Sequence, residues 1–234
     1  MIKMADLMGE GVILLNPKDK EALHKYLSDM NVAVSSYLLK YKNVESKELM
    51  NMMNKTSRSL PSNIFPFKID YVFSARNQRG AYHKESNSII IAVSYFCEWR
   101  PSSTDLKNSV FYVSYVDFNA MMSTLTHEFV HYIQVQNRLA KSGDFNISQK
   151  WDGKNYYKRG WERQAQALGY LEKLKNDLQI RRPETILNQL RKMGVLHSAD
   201  LNKLKHTDIR SWKAIMKQAI MATMADIEDR KVAA

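Results

Sequence analysis

Leu23, Leu27, Met30, Val34 and Leu38 recur every three or four residues near the start of the chain. That spacing lines up one face of a 3.6-residue helix. Asn16 stands where a cap belongs, and Pro17 sits at the first helical position, where its missing N–H costs nothing. The pattern predicts an amphipathic helix that buries one face. Two prolines in "SRSLPSNIFPFK" interrupt it. The period then falls to two: Ile69, Tyr71 and Phe73 alternate with polar neighbours, as on a half-buried strand. "ARNQRG" reads as a turn, and the β-branched run "NSIIIAVSYF" as a second strand. "SVFYVSYVDF" is either a further strand or the approach to the next helix. Helical spacing returns with Leu125, Phe129 and Ile133, inside a helix expected over about 118–137.

Beyond it, "KSGDFNISQKWDGKNYYKRG" is polar with two glycines and reads as a loop. "WERQAQALGYLEKLKNDL" is helical again. Pro183 breaks the chain, and "ETILNQLRKMG" is a short helix closed by Gly194. From Thr207 a long final helix is expected, with Ile215, Ala219, Ala222 and Ile227 on a core-facing side. Helix, small sheet, then helices is an α+β order, without alternating βαβ units. No repeat, low-complexity tract or Gly/Ser linker divides the chain. The expectation is therefore one domain over 1–234: a helical segment (1–60), a sheet region (64–116), the histidine and following helices (117–178), and C-terminal helices (184–234).

Composition narrows the class. The chain has 234 residues, with 44% hydrophobic and 25% charged, enough to bury a core. No apolar run approaches the roughly 18 residues that cross a bilayer, and the first twenty residues carry no secretory pattern. A single cysteine, Cys97, rules out an internal disulfide framework and suits a reducing compartment. Its place at the end of an apolar strand suits a structural thiol better than a nucleophile. These features lead us to expect a cytoplasmic protein with no membrane partner. The net charge of +11 favours acidic partners, nucleic acid among them. The basic residues are nevertheless spread along the chain, and no zinc ribbon, RNP-type aromatic strand or clear helix-turn-helix accompanies them.

The candidate chemistry lies in "TLTHEFVHYIQ", Thr124 to Gln134. Residues four apart on a helix lie one above the other, so His127 and His131 can aim their imidazoles at one ion. Glu128 is rotated by about 100° from His127; it flanks such an ion and can take a proton from water beside it. The helix has the apolar stripe of a buried element, which suits a rigid site. A catalytic zinc takes three protein ligands and keeps one position open. His24, His83, His197 and His206 lie in segments that suit surface residues. Glu162 is better placed. It opens a helix thirty-one residues after His131, with small neighbours Ala165, Ala167 and Gly169 that permit close packing. As a first-turn acid it also suits the helix dipole.

With those residues in place, the chain resembles the zincin metallopeptidases. Within them it resembles the gluzincins, where two histidines and a distant helical glutamate hold zinc. "HEFVHYIQ", "WDGKNYY" and "GWERQAQA" resemble, more narrowly, small metallopeptidase-like proteins encoded by bacteriophages. Trp151, Gly153, Lys154 and Tyr156 match one motif of that group; Trp161, Glu162 and Ala165 match another. Gly160 stands where the group has proline, and Gln164 where it has a second acid. The likeness covers about 65–169.

The resemblance implies a small mixed sheet over the histidine helix, with an edge strand for extended peptide in "GAYHKESNSIIIAV" and "SNSIIIAV" as the candidate edge. It implies Zn²⁺ held by His127, His131 and Glu162, Glu128 as general base, and hydrolysis of a protein or peptide substrate. Tyr156, Tyr157 and Arg159 precede the Glu162 helix, and Tyr157 is the candidate for stabilising the oxyanion. Two other classes stay open: a catalytically inactive, metal-stabilised module of the phage-structural or host-interaction kind, and a basic nucleic-acid binder.

Overall fold

The chain is described by a computed structural model over residues 15, 17–60, 65, 67–73, 79–106, 109–136, 160–180, 182–192 and 199–232. It combines helices with two small sheets, an α+β composition. Two compact units can be distinguished, 16–128 and 129–234, with Leu15 belonging to the second. The boundary falls between Glu128 and Phe129, inside the histidine helix.

In the first unit, α1 (Pro17–Lys40) buries the predicted face: Leu23, Leu27, Met30 and Val34 are all nearly inaccessible. β1 (Val44–Glu45) leads into α2 (Ser46–Ser59), which buries Leu49, Met50 and Met53. Five strands follow: β2 (Lys68–Val72), β3 (Gly80–His83), β4 (Ser88–Ala92), β5 (Cys97–Pro101) and β6 (Phe111–Val116). They form two sheets instead of one. β1, β6 and β5 make an antiparallel sheet in that order. β2, β4 and β3 make a mixed one, with β2 parallel and β3 antiparallel to β4.

This topology corrects the choice of edge strand. "SNSIIIAV" contains β4, which is hydrogen-bonded on both sides and cannot accept a further strand. Its continuous apolar run is the mark of a central strand covered on both faces. Ile89 and Ile91 on one face are fully buried, and on the other Ser88 and Ala92 are buried with Ile90 half-buried. The edges are β2 and β3. Along β2 the amide of Asn54 meets the backbone of Tyr71, donating to its carbonyl at 2.9 Å and accepting its N–H at 2.7 Å. Ser57 Oγ donates to the Ile69 carbonyl at 2.8 Å.

The histidine helix, α3 (Phe118–Gln136), starts where Asp117 Oδ1 accepts the Ala120 N–H at 3.0 Å. That contact satisfies one of the unpaired donors of a helix start. The second unit contains α4 (Gly160–Asp177), α5 (Pro183–Lys192), α6 (Ala199–Thr207) and α7 (Ile209–Val232). α4, α5 and α6 all pack on α7. Ala165, Leu171 and Leu174 are buried, as are Ile186, Ile215, Ala219 and Ala222. The long final helix expected from Thr207 is α7, which begins two residues later at Ile209, and α6, ending at Thr207, is a further short helix before it. Asp208 caps α7 by accepting the Ser211 N–H and hydroxyl at 3.1 and 2.7 Å. Asn16, Gly194 and the loop expected over 141–159 lie outside the described residues. Among those described, no helix is long and apolar enough to cross a membrane.

Candidate metal centre

α3 is buried on more than one face. Leu125, Thr126, Phe129 and Val130 are nearly inaccessible, and so are Glu128, His131 and Gln134. Polar groups at that depth need partners, since each unpaired one costs about 1–3 kcal/mol, and Glu128, His131 and Gln134 have them.

Glu128 is held from the sheet. The Tyr82 backbone N–H donates to Glu128 Oε2 at 2.9 Å. Ala92 N–H bonds to the Arg79 carbonyl, so Arg79, Ala81 and His83 face β4, while Gly80 and Tyr82 turn their backbone groups away from it. β3 thus meets the turn of α3 that carries Glu128. The approach is close. A Cβ on Gly80 would fall 2.8 Å from Thr124 Cγ2, 3.1 Å from Glu128 Cγ and 3.2 Å from Glu128 Oε1. Only glycine lets the strand come this near.

His131 is held from α4. Its Nδ1 lies 2.9 Å from Gln134 Oε1, and its Nε2 lies 3.3 Å from Glu162 Oε2. Gln134 donates through Nε2 to the Trp161 carbonyl at 3.0 Å and to Gln164 Oε1 at 2.8 Å. Glu162 sits in the first turn of α4, 8% exposed, with Ala165 fully buried on the same helix.

One donor atom from each of His127, His131 and Glu162 lies within 4.8 Å of the others. Zinc at about 2.0–2.2 Å from tetrahedral donors separates them by about 3.3–3.5 Å. The His131–Glu162 distance of 3.3 Å already has that value, and the widest separation in the set would close by about 1.5 Å at most. Two imidazoles and a carboxylate are the donor set of a catalytic zinc with one position open. The three residues fit the ion.

The remaining candidates separate clearly. His24 and His206 are exposed on α1 and α6, and His83 is half-buried in β3. The metal-ligand group found among the described residues includes none of them. His197, Trp151, Gly153, Lys154, Tyr156, Tyr157 and Arg159 lie outside the described residues. Cys97 is half-buried at the start of β5, and burial pushes its thiol up to about 12. It is no nucleophile at neutral pH.

Three participants were not foreseen. Gly80 was read as part of a turn, and nothing in its surroundings marks a close approach. A backbone N–H such as that of Tyr82 leaves no trace in side-chain pattern. Gln134 did carry a signal: it stands three residues after His131, on the same helical face. Comparison with protein-family models, with curated proteins and with solved structures gives no match for the chain.

Proposed function

We propose that the protein is a zinc-dependent peptidase of the zincin type, with His127, His131 and Glu162 as ligands and Glu128 as general base. The observation that carries this reading is the pairing of two features on one helix. Three zinc-compatible donors gather within 4.8 Å, and the carboxylate next to His127 in sequence is buried and oriented by a backbone N–H. Metal binding by itself does not call for a carboxylate beside the ligands, whereas proton transfer from water does.

A bound zinc ion would supply Lewis acidity toward the scissile carbonyl and bring the pKa of a water to about 7. The chain's own residues handle the proton. Glu128 Oε2 is committed to Tyr82, which leaves Oε1 to take the proton from the attacking water and pass it to the departing amine. The edge strand beside the base is β3, whose outward Tyr82 N–H is already bonded to Glu128. The choice of a peptide as substrate rests on the resemblance to the phage metallopeptidase-like proteins.

The test is elemental analysis of purified wild type and Glu162→Ala, followed by a peptide-library cleavage assay. About one zinc per chain in wild type, lost in the variant, together with cleavage that a chelator abolishes, is the expected result. Zinc without cleavage would favour the metal-stabilised module. No zinc after supplementation would remove both readings.

A further inference from the structure

Gln134 is 1% exposed, and three polar atoms lie within 3.0 Å of its amide. These contacts settle which end of the amide is which. The Trp161 carbonyl can only accept, so the end facing it must be Nε2. Nε2 spends its two hydrogens on Trp161 and Gln164. The other end is therefore the oxygen, and it faces His131 Nδ1 at 2.9 Å. An oxygen in that position needs a hydrogen from the ring; a bare Nδ1 would oppose lone pair to lone pair.

We infer that Gln134 is a positioning residue that keeps a proton on His131 Nδ1, so that Nε2 is the nitrogen presented to Glu162 and to a metal. The inference rests on the proposed metal centre. It adds how that centre selects one nitrogen of His131 and couples it to α4. Histidine ligands depend on such a partner to fix tautomer and ring angle. Here the partner is neutral, and it is itself fixed by a backbone carbonyl at the start of the helix that carries Glu162. Turning the ring of His131 would break a chain of bonds that runs through Gln134 to Trp161 and Gln164.

The same geometry explains why glutamine is acceptable at position 164. Its Oε1 accepts from Gln134, which a carboxylate oxygen can also do. A glutamate there, as in the phage group, would play the same part. Toward Gln134, then, a carboxylate should serve at 164 as an amide does, whereas an apolar side chain at 134 should not serve.

The first measurement is on the wild-type chain, by ¹⁵N NMR of the His131 ring, metal-free and zinc-loaded. A protonated Nδ1 is expected in both. A bare Nδ1 with the proton on Nε2 in the metal-free protein overturns the inference, and this reading needs no variant to fold. Gln134→Met then keeps the side-chain volume and removes both ends of the amide. Competition titration with zinc should show affinity falling about 10- to 100-fold, with the Nδ1 proton exchanging freely. Gln164→Glu should keep both affinity and proton. Unchanged affinity in Gln134→Met, or loss in Gln164→Glu as large as in Gln134→Met, refutes the assignment. Should wild type bind no zinc, the metal centre fails, and the metal-free NMR result decides the inference alone.

Discussion

Glu128 and Glu162 lie at nearly the same depth, 7% and 8% exposed, but two different kinds of structure hold the turns around them. The turn with Glu128 is braced by the backbone of β3, through the Tyr82 N–H and the bare Cα of Gly80. The turn with His131 is braced through one side chain, that of Gln134, which is anchored on the Trp161 carbonyl and the Gln164 side chain of α4. A backbone donor is placed by the whole sheet and survives most substitutions. A side-chain relay can be taken apart one residue at a time. In the proposed enzyme the proton-handling group would depend on the fold, and the metal-facing group on particular amino acids.

The largest effect expected from that contrast is chemical. Glu128→Gln keeps an oxygen for the Tyr82 N–H, so the brace stays intact while the proton acceptor is gone. Turnover should fall by about 10²- to 10⁴-fold, with zinc content by elemental analysis unchanged. Activity close to wild type in this variant would sink the general-base role.

The next tests the backbone brace itself. Gly80→Ala pushes a methyl group against Thr124 Cγ2 and Glu128. Overpacking of this kind costs about 1–3 kcal/mol, read by urea denaturation, and displacing the base should lower kcat/KM by about 10²-fold. Adding Thr124→Ala removes the tightest clash. The double variant should regain most of its stability while its activity stays low, because the contact with Glu128 remains. Recovery of both together would place the whole effect on Thr124 and break the comparison.

The smallest effect belongs to Cys97, which neither brace reaches. Burial raises its thiol to about 12. The folded chain therefore holds this proton at pH values where the unfolded chain, with its ordinary thiol near 8.5, has released it. Stability from this source is fully present below that ordinary value and drains away as pH climbs toward about 12. Cys97→Ala should flatten the pH dependence of urea unfolding between about pH 9 and 11. At pH 8 iodoacetamide should leave the folded wild type unmodified over hours, since about one thiol in 10⁴ is ionised there. Rapid alkylation would show the thiol to be more open than its burial implies.

The helical half of the site was legible because helical periodicity is local. The i, i+4 pair at His127 and His131, and the small residues after Glu162, can be read from a few neighbours in the chain. The sheet was less legible. Period-two alternation located β2, and β-branched content located β4, but neither says which strand pairs with which, so the central strand was taken for an edge. β1 is two residues long, too short for any pattern, and it adds an edge to the β6–β5 pair, which stands as a second sheet. The start of α7 was legible to within two residues, whereas α6 lies in a polar stretch whose two leucines, Leu201 and Leu204, are too few to announce a helix. Gly80 and the Tyr82 N–H act through the backbone, and their roles exist only once β3 meets α3.

The bonds along β2 and β3 have one more consequence. An edge strand with unused N–H and C=O groups is a template on which another chain can pair and aggregation can begin. In the β2–β4–β3 sheet, Asn54 and Ser57 occupy backbone groups on one margin and Glu128 occupies one on the other. Side chains of α2 and α3 thus act as stoppers along both margins. The carboxylate proposed to move a proton in catalysis also helps keep neighbouring molecules in a crowded solution from adding to the sheet.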